Sequence, residues 1–315
     1  MNKYSIPLVM ILTLAACSQH AAPPAATAPT SPSTKMADQP ANPPPPQSAQ
    51  EMTDNKLKSV IAGDWRDAAY KARDPYRHPQ QTLEFFGLKP DMSLIEITPG
   101  GGWYTQILAP LMKDSGSYTA AIAKASGADS EASRSLKMIK KMFTANPAEY
   151  SQAKIVEYDP KAPVFGAPGS ADMVLTFRNA HNWVAAGTDA AMFKGFFDVL
   201  KPGGVLGLVD HRATPGSDVK KVEHSGYLPK AYVIKLATDA GFKLDGDSDI
   251  NANPKDDHDH PKGVWTLPPT LAMKDKDKAK YEAIGESDRM TLRFVKPAAG
   301  SSASATGDGE KSDSH

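Results

Sequence analysis

The sequence of 315 residues has almost no cysteine, no surplus of charge of either sign and no internal repeat. Its single cysteine, Cys17, excludes an intramolecular disulfide and any metal site built from cysteines. Because 36 acidic and 36 basic side chains give a formal net charge of zero, no overall field favours nucleic acid, and we expect no nucleic-acid partner. These absences exclude a disulfide scaffold, a repeat array and a basic nucleic-acid-binding domain.

The N-terminus contains the longest apolar stretch, and that stretch is short. Residues 6–14 follow Lys3 and are about half the length that a membrane-spanning helix requires. With Leu14-Ala15-Ala16-Cys17 at its end, the segment resembles a bacterial lipoprotein signal, so residues 1–16 are predicted to be cleaved. The resemblance implies that Cys17 is lipidated and, because Ser18 follows it, that the protein is anchored to the outer membrane in the periplasm. The alternative is a buried free thiol.

Composition divides the remaining chain into three parts. Residues 17–55 are rich in Ala, Pro, Ser, Thr and Gln, with four consecutive prolines at 43–46, which is typical of an extended, disordered tether. Residues 298–315 form a similar Gly-, Ser-, Asp- and Lys-rich tail. Between them, residues 56–297 are numerous enough for one large domain with a well-buried core.

Within this domain, apolar runs alternate with helical patterns. Strands are predicted at residues 91–97, 116–122, 153–158, 171–177, 205–209 and 290–295, and helices at 104–113, 130–143, 190–200 and 230–240. This alternation predicts an α/β fold with a mostly parallel sheet and helices on both faces. Because ligands bind at the carboxyl ends of such strands, the loops after Ile97, Phe177 and Val209 are expected to converge on one crevice.

A glycine-rich turn follows the first predicted strand. Residues 94–97 supply the strand, and Gly100, Gly101 and Gly102 can adopt left-handed conformations or let backbone amides approach a ligand. The pattern predicts a nucleotide-binding turn, with a plain tight turn as the alternative.

The order of these features resembles class I S-adenosylmethionine-dependent methyltransferases, and more closely the predicted methyltransferases that carry an export signal. The motifs that carry the resemblance are a lead-in helix at 73–77 with 83–90, a first motif at 96–102, a fourth motif at 172–183, the strand 200–210 and an antiparallel seventh strand at 290–297. The resemblance implies a Rossmann-like fold with a seven-stranded, mostly parallel sheet and S-adenosylmethionine as cofactor. The cofactor-binding residues that it implies are Glu96, Thr98, Gly100, Gly101, Gly102, Asp159 and Arg178.

Two departures from the family pattern favour other functions. The first motif usually has glycine where this chain has Thr98, and the second strand usually ends in an acidic residue that binds the ribose. Here that strand ends in Ala123-Lys124, so Asp129 or Glu131 would have to reach the ribose hydroxyls. The missing ribose carboxylate, together with an export signal on a chain whose cofactor is made in the cytoplasm, favours a binding protein that keeps the fold without transfer activity, so whether the chain is an enzyme stays open.

The stretch 177–183 has the highest density of polar, chemically active side chains. His181 is a candidate general base because its ordinary pKa lies near neutrality, and Asn179 is a candidate for orienting the acceptor. The alternative is that this Asn-rich turn only caps a helix. His211 is the second candidate base, and Asp210 need not be its partner because adjacent residues on a strand point to opposite faces.

Residues 256–260, Asp-Asp-His-Asp-His, have the composition of a metal site. Asn253-Pro254 before them and Pro261 after them instead predict a solvated loop, and no metal is expected.

The resemblance therefore implies a methyltransferase acting on a small molecule in the cell envelope. The alternatives are the binding protein described above and a metal-dependent lyase or hydrolase that uses the histidines of the crevice as ligands.

Overall fold

A computed structural model describes residues 48–298 of the chain. The predicted signal 1–16, Cys17, most of the predicted tether and the tail from residue 299 lie outside the described residues, so these assignments stay predictions. None of the helices between residues 48 and 298 is long and apolar enough to cross a membrane.

Seven strands form a single sheet. They are β1 (Ser93–Ile97), β2 (Ser117–Ala123), β3 (Lys154–Tyr158), β4 (Ala171–Phe177), β5 (Leu200–His211), β6 (Lys243–Ser248) and β7 (Arg289–Val295). Their order across the sheet is β3-β2-β1-β4-β5-β7-β6. All neighbouring strands are parallel except β7, which is antiparallel to both β5 and β6. The predicted fold is confirmed: this is a Rossmann-like, mostly parallel sheet with one antiparallel strand.

The helices of the described region precede, connect and follow these strands. In chain order they are α1 (Ala49–Ala62), α2 (Ala68–Lys71), α3 (Asp74–Arg77), α4 (Pro79–Phe86), α5 (Thr105–Met112), α6 (Glu131–Ala145), α7 (Pro147–Tyr150), α8 (Ala180–Ala186), α9 (Asp189–Val199), α10 (Val219–Val222), α11 (Lys230–Asp239) and α12 (Lys278–Ile284). Two short 3₁₀ helices lie at Glu223–Ser225 and Gly263–Thr266.

Apolar clusters cover both faces of the sheet, and strand alternation assigns each residue to one of them. On β1, Ile95 and Ile97 belong to the cluster that contains the buried side chains of α8 and α9, whereas Leu94 belongs to the cluster beneath α5. Glu96 lies on the same face as Leu94 because side chains two residues apart on a strand point the same way. The polar residues at the strand ends are therefore held by two rigid packed layers.

The fold differs from the predicted organisation at its N-terminal boundary. Helix α1 begins at Ala49, inside the stretch 17–55 that the composition assigns to the tether. Ser48 and Glu51 form a capping box, which starts the helix as soon as the proline-rich stretch has ended. Leu57 and Val60 then bury the helix against the domain. Helix α8 also follows β4 directly, where the sequence predicts a polar turn.

Candidate functional site

A crevice of about 250 Å³ opens at the carboxyl ends of the central strands. The loop after β1, the turn after β4 and the end of β5 line its floor, which confirms the predicted convergence. Other elements complete the wall, and their lining residues include Tyr70, Arg73, Arg77, Glu131, Trp265, Glu286 and Ser287.

The glycine turn presents one open position to this crevice. Gly100 has φ of 57°, and a Cβ added there would meet no atom within 4 Å. A Cβ on Gly101 would lie 2.5 Å from the Tyr70 hydroxyl, and one on Gly102 would lie 2.6 Å from Met142 Cε. A side chain at 101 or 102 would thus have to displace neighbouring side-chain ends, and Gly102 also has a φ of 84°, whereas at Gly100 the open space is available to a ligand.

Thr98 occupies a backbone conformation that glycine adopts more easily. Its φ is 52°, which costs a side-chain-bearing residue about 1–3 kcal/mol. Thr98 Oγ1 lies 2.7 Å from the hydroxyl of Tyr158, and Asn179 Nδ2 donates to Thr98 O at 3.2 Å. These contacts stabilise the strained turn and explain how threonine replaces the glycine of the related motif.

Asn179 joins the ends of β1 and β4. Besides its bond to Thr98, its Nδ2 donates to Ile97 O and to Thr176 Oγ1, both at 3.1 Å. The side chain is buried. Asn179 therefore holds the glycine turn against the polar turn, and its contact with an acceptor stays a prediction.

Glu96 lies at the buried end of the crevice. Its Oε2 accepts hydrogen bonds from Tyr118 Oη at 2.5 Å and Thr105 Oγ1 at 2.8 Å. Burial raises the pKa of Glu96 to about 7, although both hydrogen bonds favour the carboxylate. The buried Glu96 side chain thus joins the end of β1 to the start of α5 and to β2.

His181 and Asp210 form the most ordered pair in the crevice. His181 Nδ1 lies 2.9 Å from Asp210 Oδ1, and the backbone amides of His181 and His211 donate to the same carboxylate at 3.1 and 2.7 Å. With three donors around Asp210, the imidazole hydrogen is on Nδ1, which leaves the lone pair of Nε2 for a ligand. Asp210 is fully buried at the first turn of α8, where the helix dipole also favours an anion.

His211 belongs to the opposite face of β5. Its Nδ1 lies 2.5 Å from Ser287 Oγ, and its ring centroid is 5.1 Å from that of His181. Burial, and then the neighbouring His181 and Arg178, hold the pKa of His211 well below its ordinary value. His211 is therefore a neutral, weakly basic ring, and Asp210 is the partner of His181, as strand alternation allows.

Arginine side chains form the wall next to these histidines. Glu286 accepts from Arg73 Nε at 2.6 Å, Arg77 Nε at 3.3 Å and Arg289 Nη1 at 3.1 Å, and these cations hold the pKa of Glu286 near 2 against the effect of its burial. The Nη2 atoms of Arg73 and Arg77 are buried without a hydrogen-bond acceptor. Each such unpaired donor costs about 1–3 kcal/mol.

Some of the other predicted site residues line the crevice and some do not. Arg178 lines the crevice with φ of 62°, and Glu131 does so from the first turn of α6. Asp159 is exposed outside the lining, where its Oδ1 accepts from the Lys161 amide at 2.9 Å, and Asp129 and Gly102 are not lining residues either.

Sequence patterns missed several lining groups of the crevice. Arg73 and Arg77 were part of the lead-in motif but carried no predicted role, and Glu286 and Ser287 carried no pattern at all. The spacing of Arg73 and Arg77, one helical turn apart, is the one signal that indicated a shared surface.

The stretch 256–260 is a loop, as predicted, and Asp257 and Asp259 are exposed, but Asp256 and His260 correct the expectation that all of it is solvated. Asp256 is buried and accepts from Tyr227 Oη, from His260 Nε2 at 2.8 Å, and from the backbone amides of His258 and Asp288. These bonds require tertiary partners that no local pattern reveals. Asp256 and His260 therefore form a buried structural network.

Two sets of side chains in the described region have possible ligand atoms within 4.8 Å of one another, namely His181, Asp210 and His211, and Asp256, Asp257 and His260. In both sets the central carboxylate already accepts several hydrogen bonds from the protein. A metal would have to displace these donors, so the arrangement favours hydrogen-bonded pairs over metal centres.

No protein-family model and no curated protein matches the sequence. The structure is similar to the cyclase SpnF, with 14% identity, a TM-score of 0.51, and coverage of 79% of this chain and 95% of that one. It is also similar to a putative sarcosine dimethylglycine methyltransferase from Galdieria sulphuraria, with 12% identity, a TM-score of 0.50, and coverage of 71% and 84%. A SAM-dependent methyltransferase from Aquifex aeolicus matches at 14% identity and a TM-score of 0.47, covering 77% of this chain and 98% of that one. At these identities the likeness establishes the Rossmann-like methyltransferase fold alone.

Proposed function

We propose that this chain is an S-adenosylmethionine-dependent methyltransferase that acts on a small molecule. The observation that carries the proposal is the His181–Asp210 pair, whose imidazole borders the same crevice as the open glycine Gly100. A general base and a cofactor turn at one strand edge are the two parts that methyl transfer to a hydroxyl or amine requires.

The residues present fit the cofactor. The open space at Gly100 is a place where a Cβ would meet no protein atom, which suits the close approach of a ligand. Gly100, Gly101 and Thr98 would hold its methionine part, and Glu131 would supply the ribose contact that Ala123-Lys124 lacks. When bound, S-adenosylmethionine supplies an electrophilic methyl group. Asn179 supports the turn from the protein side through its hydrogen bonds to Ile97 O and Thr98 O.

His181 performs the proton transfer in this proposal. Its Nε2 removes a proton from the hydroxyl or amine of the acceptor, and the Asp210 carboxylate stabilises the imidazolium that forms. His211 stays neutral because burial and the neighbouring cations hold its pKa low, so it contributes a hydrogen bond and no charge. The buried pair is screened from water, which strengthens its electrostatic interaction.

Calorimetric titration of the full chain with S-adenosylmethionine and S-adenosylhomocysteine tests the cofactor. Gly100→Val is expected to abolish binding because its side chain would fill the open space, while the domain stays folded. Gly187→Val is the matched control, since Gly187 also has a positive φ, 65°, and open space at Cβ but does not line the crevice. No heat for the unsubstituted chain with either ligand up to about millimolar concentration would contradict the proposal.

A binding protein without transfer activity is the second candidate. The absence of a carboxylate at the end of β2, where Ala123 and Lys124 stand, favours it. The SpnF neighbour is a cyclase by name, so the fold also hosts chemistry other than methyl transfer. A chain that binds the cofactor tightly but releases no S-adenosylhomocysteine with fractionated small-molecule extracts would support this candidate.

We also propose that the protein is tethered to the outer membrane, facing the periplasm, by a lipid on Cys17. The support is the motif Leu14-Ala15-Ala16-Cys17 after a short apolar run. Cys17→Ser is expected to move the protein to the soluble fraction and to abolish metabolic acyl labelling. An unlabelled, soluble wild-type protein would remove this assignment.

A further inference from the structure

The crevice has an excess of positive charge on one side. Arg73, Arg77 and Arg178 line it. Three guanidinium groups, those of Arg73, Arg77 and Arg289, pair with the single carboxylate of Glu286. The other acidic lining groups are Glu131, which is exposed on α6, and Glu96 at the buried end of the crevice. This excess favours an anionic ligand.

Several donors on this wall have no acceptor within the described residues. Arg178 makes no side-chain hydrogen bond and no ion pair within 4 Å there, although its backbone amide donates to Val209 O at 2.7 Å. The Nη2 atoms of Arg73 and Arg77 are buried and unpaired, and Arg77 is only 4% exposed. Buried donors of native proteins normally find a partner, so the Nη2 atoms of Arg73 and Arg77 indicate a missing acceptor, and the half-buried Arg178 lines the crevice beside them.

The position of the arginines relates them to the acceptor end of the crevice. Arg178, Arg289 and Arg77 are close enough to His211 to contribute, after burial and His181, to the lowering of its pKa. His211 in turn lies beside His181, the candidate base. The ends of β2 and β3, at Ala123 and Tyr158, are not part of the lining. The cationic wall thus adjoins the group that would deprotonate the acceptor.

We propose that the methyl acceptor carries an oxyanion, a carboxylate or a phosphate, which binds to Arg178 and to the free ends of Arg73 and Arg77. This inference rests on the proposed function. The planar guanidinium fork pairs with two oxygens of such a group, which fixes the orientation of the ligand as well as its charge. Held there, the acceptor presents its hydroxyl or amine to His181.

Titration of the full chain with inorganic phosphate and with malonate, at ionic strength kept constant with sodium chloride, tests the site. Arg178→Gln is expected to weaken the binding of the better probe by about tenfold or more, and Arg178→Lys by less, because lysine keeps the charge without the fork. Arg134→Gln removes an exposed arginine of α6 outside the lining and is expected to change nothing. Because Arg178 has no side-chain hydrogen bond and no ion pair within 4 Å among residues 48–298, its variants are expected to melt within a few degrees of the wild type. Failure of both probes to bind would overturn the proposal.

A second arm separates the acceptor from the cofactor, which also carries a carboxylate. Phosphate or malonate binding that persists at saturating S-adenosylhomocysteine supports an acceptor site. The proposal would be overturned if the anion and S-adenosylhomocysteine compete for binding, and if Arg178→Gln weakens the binding of S-adenosylhomocysteine but not that of 5′-methylthioadenosine, which lacks the carboxylate. That result would assign the arginines to the cofactor. If S-adenosylhomocysteine does not bind but the binding of phosphate or malonate is still weakened by Arg178→Gln, the proposed function is contradicted and the oxyanion site is supported.

Discussion

Two histidine–aspartate pairs in this molecule have the same chemistry and different surroundings. In the first, His181 meets Asp210 at 2.9 Å beside the crevice. In the second, His260 meets Asp256 at 2.8 Å inside the loop 256–260. Both aspartates are buried and accept several hydrogen bonds. The pairs differ in location, since His181 lies at the carboxyl end of the parallel sheet and His260 does not line the crevice.

The comparison shows that composition is a poor guide to reactivity. The loop has five consecutive acidic and histidine residues, of which Asp257 and Asp259 are exposed. Asp256 is used internally, since it also accepts from the hydroxyl of Tyr227 and from two backbone amides. Asp210 likewise accepts from a histidine and from two backbone amides, yet its histidine borders the crevice. The two pairs are thus distinguished by their position, since the His181–Asp210 pair lies at the carboxyl end of the parallel strands and the His260–Asp256 pair does not.

His181→Gln is expected to have the largest effect. If His181 is the base, methyl transfer should slow by about 10²- to 10⁴-fold, because glutamine keeps hydrogen bonding but does not titrate near neutral pH. Turnover and the calorimetric affinity for S-adenosylhomocysteine should be measured on the same preparation. We expect the turnover to fall and the affinity to stay nearly unchanged. His260→Gln is the matched control and should leave turnover intact. Near-normal turnover of His181→Gln would move the search to His211.

Asp210→Asn is expected to slow transfer by about 10- to 10³-fold through the orientation of His181, since an amide can present a donor to Nδ1 and favour the wrong tautomer. Because Asp210 is a positioning residue, the pH–rate profile should lose or shift its acidic limb, on which a general base becomes protonated, while KM changes little. A profile identical to that of the wild type would assign Asp210 to fold stability alone.

Asp256→Asn should affect stability and not turnover. The substitution disturbs a carboxylate that accepts from Tyr227, His260 and two backbone amides, and we expect the free energy of unfolding to fall by about 1–3 kcal/mol. Denaturant unfolding measures the loss, and turnover per folded molecule should equal that of the wild type. A loss of turnover without a loss of stability would contradict the structural role.

The smallest expected effect is an opposite pH dependence in the two regions. An unfolded histidine has a pKa of about 6.5. The hydrogen bond to Asp288 is the chief cause that raises the pKa of His258 in the folded protein. His258 therefore contributes its full stabilisation below about pH 6.5 and loses it as the pH rises through the folded pKa. Burial is the chief cause that lowers the pKa of His211 in the folded protein. The contribution of His211 to stability is therefore present above about pH 6.5 and is lost as the pH falls below that value.

Unfolding between about pH 5.5 and 8.5 checks these signs in the two variants. His258→Gln should destabilise the protein more at the acidic end, by less than about 1 kcal/mol because the pair is partly exposed. His211→Gln should destabilise it more at the basic end. If the destabilisation changes with pH in the same direction in both variants, the opposite pH dependence of the two regions is refuted.

Much of the fold was predictable from the sequence because it depends on local periodicity. The patterns at residues 91–97, 171–177 and 290–295 matched strands within a few residues, and the helix predicted at 230–240 is α11. The start of α1 was missed because its capping box follows directly on the proline-rich stretch and its buried face needs the rest of the domain.

The sequence by itself determined the layered sheet, the glycine turn and the presence of His181 and His211 at strand ends, since each depends on near neighbours in the chain. Only the tertiary structure decided which groups meet. Asp210 joins His181 across 29 positions, and Glu286 joins Arg73 across 213. The reason is that strand pairing and helix packing set these distances, and the charge and hydrogen-bond environment of a side chain follows from neighbours that are remote in the sequence.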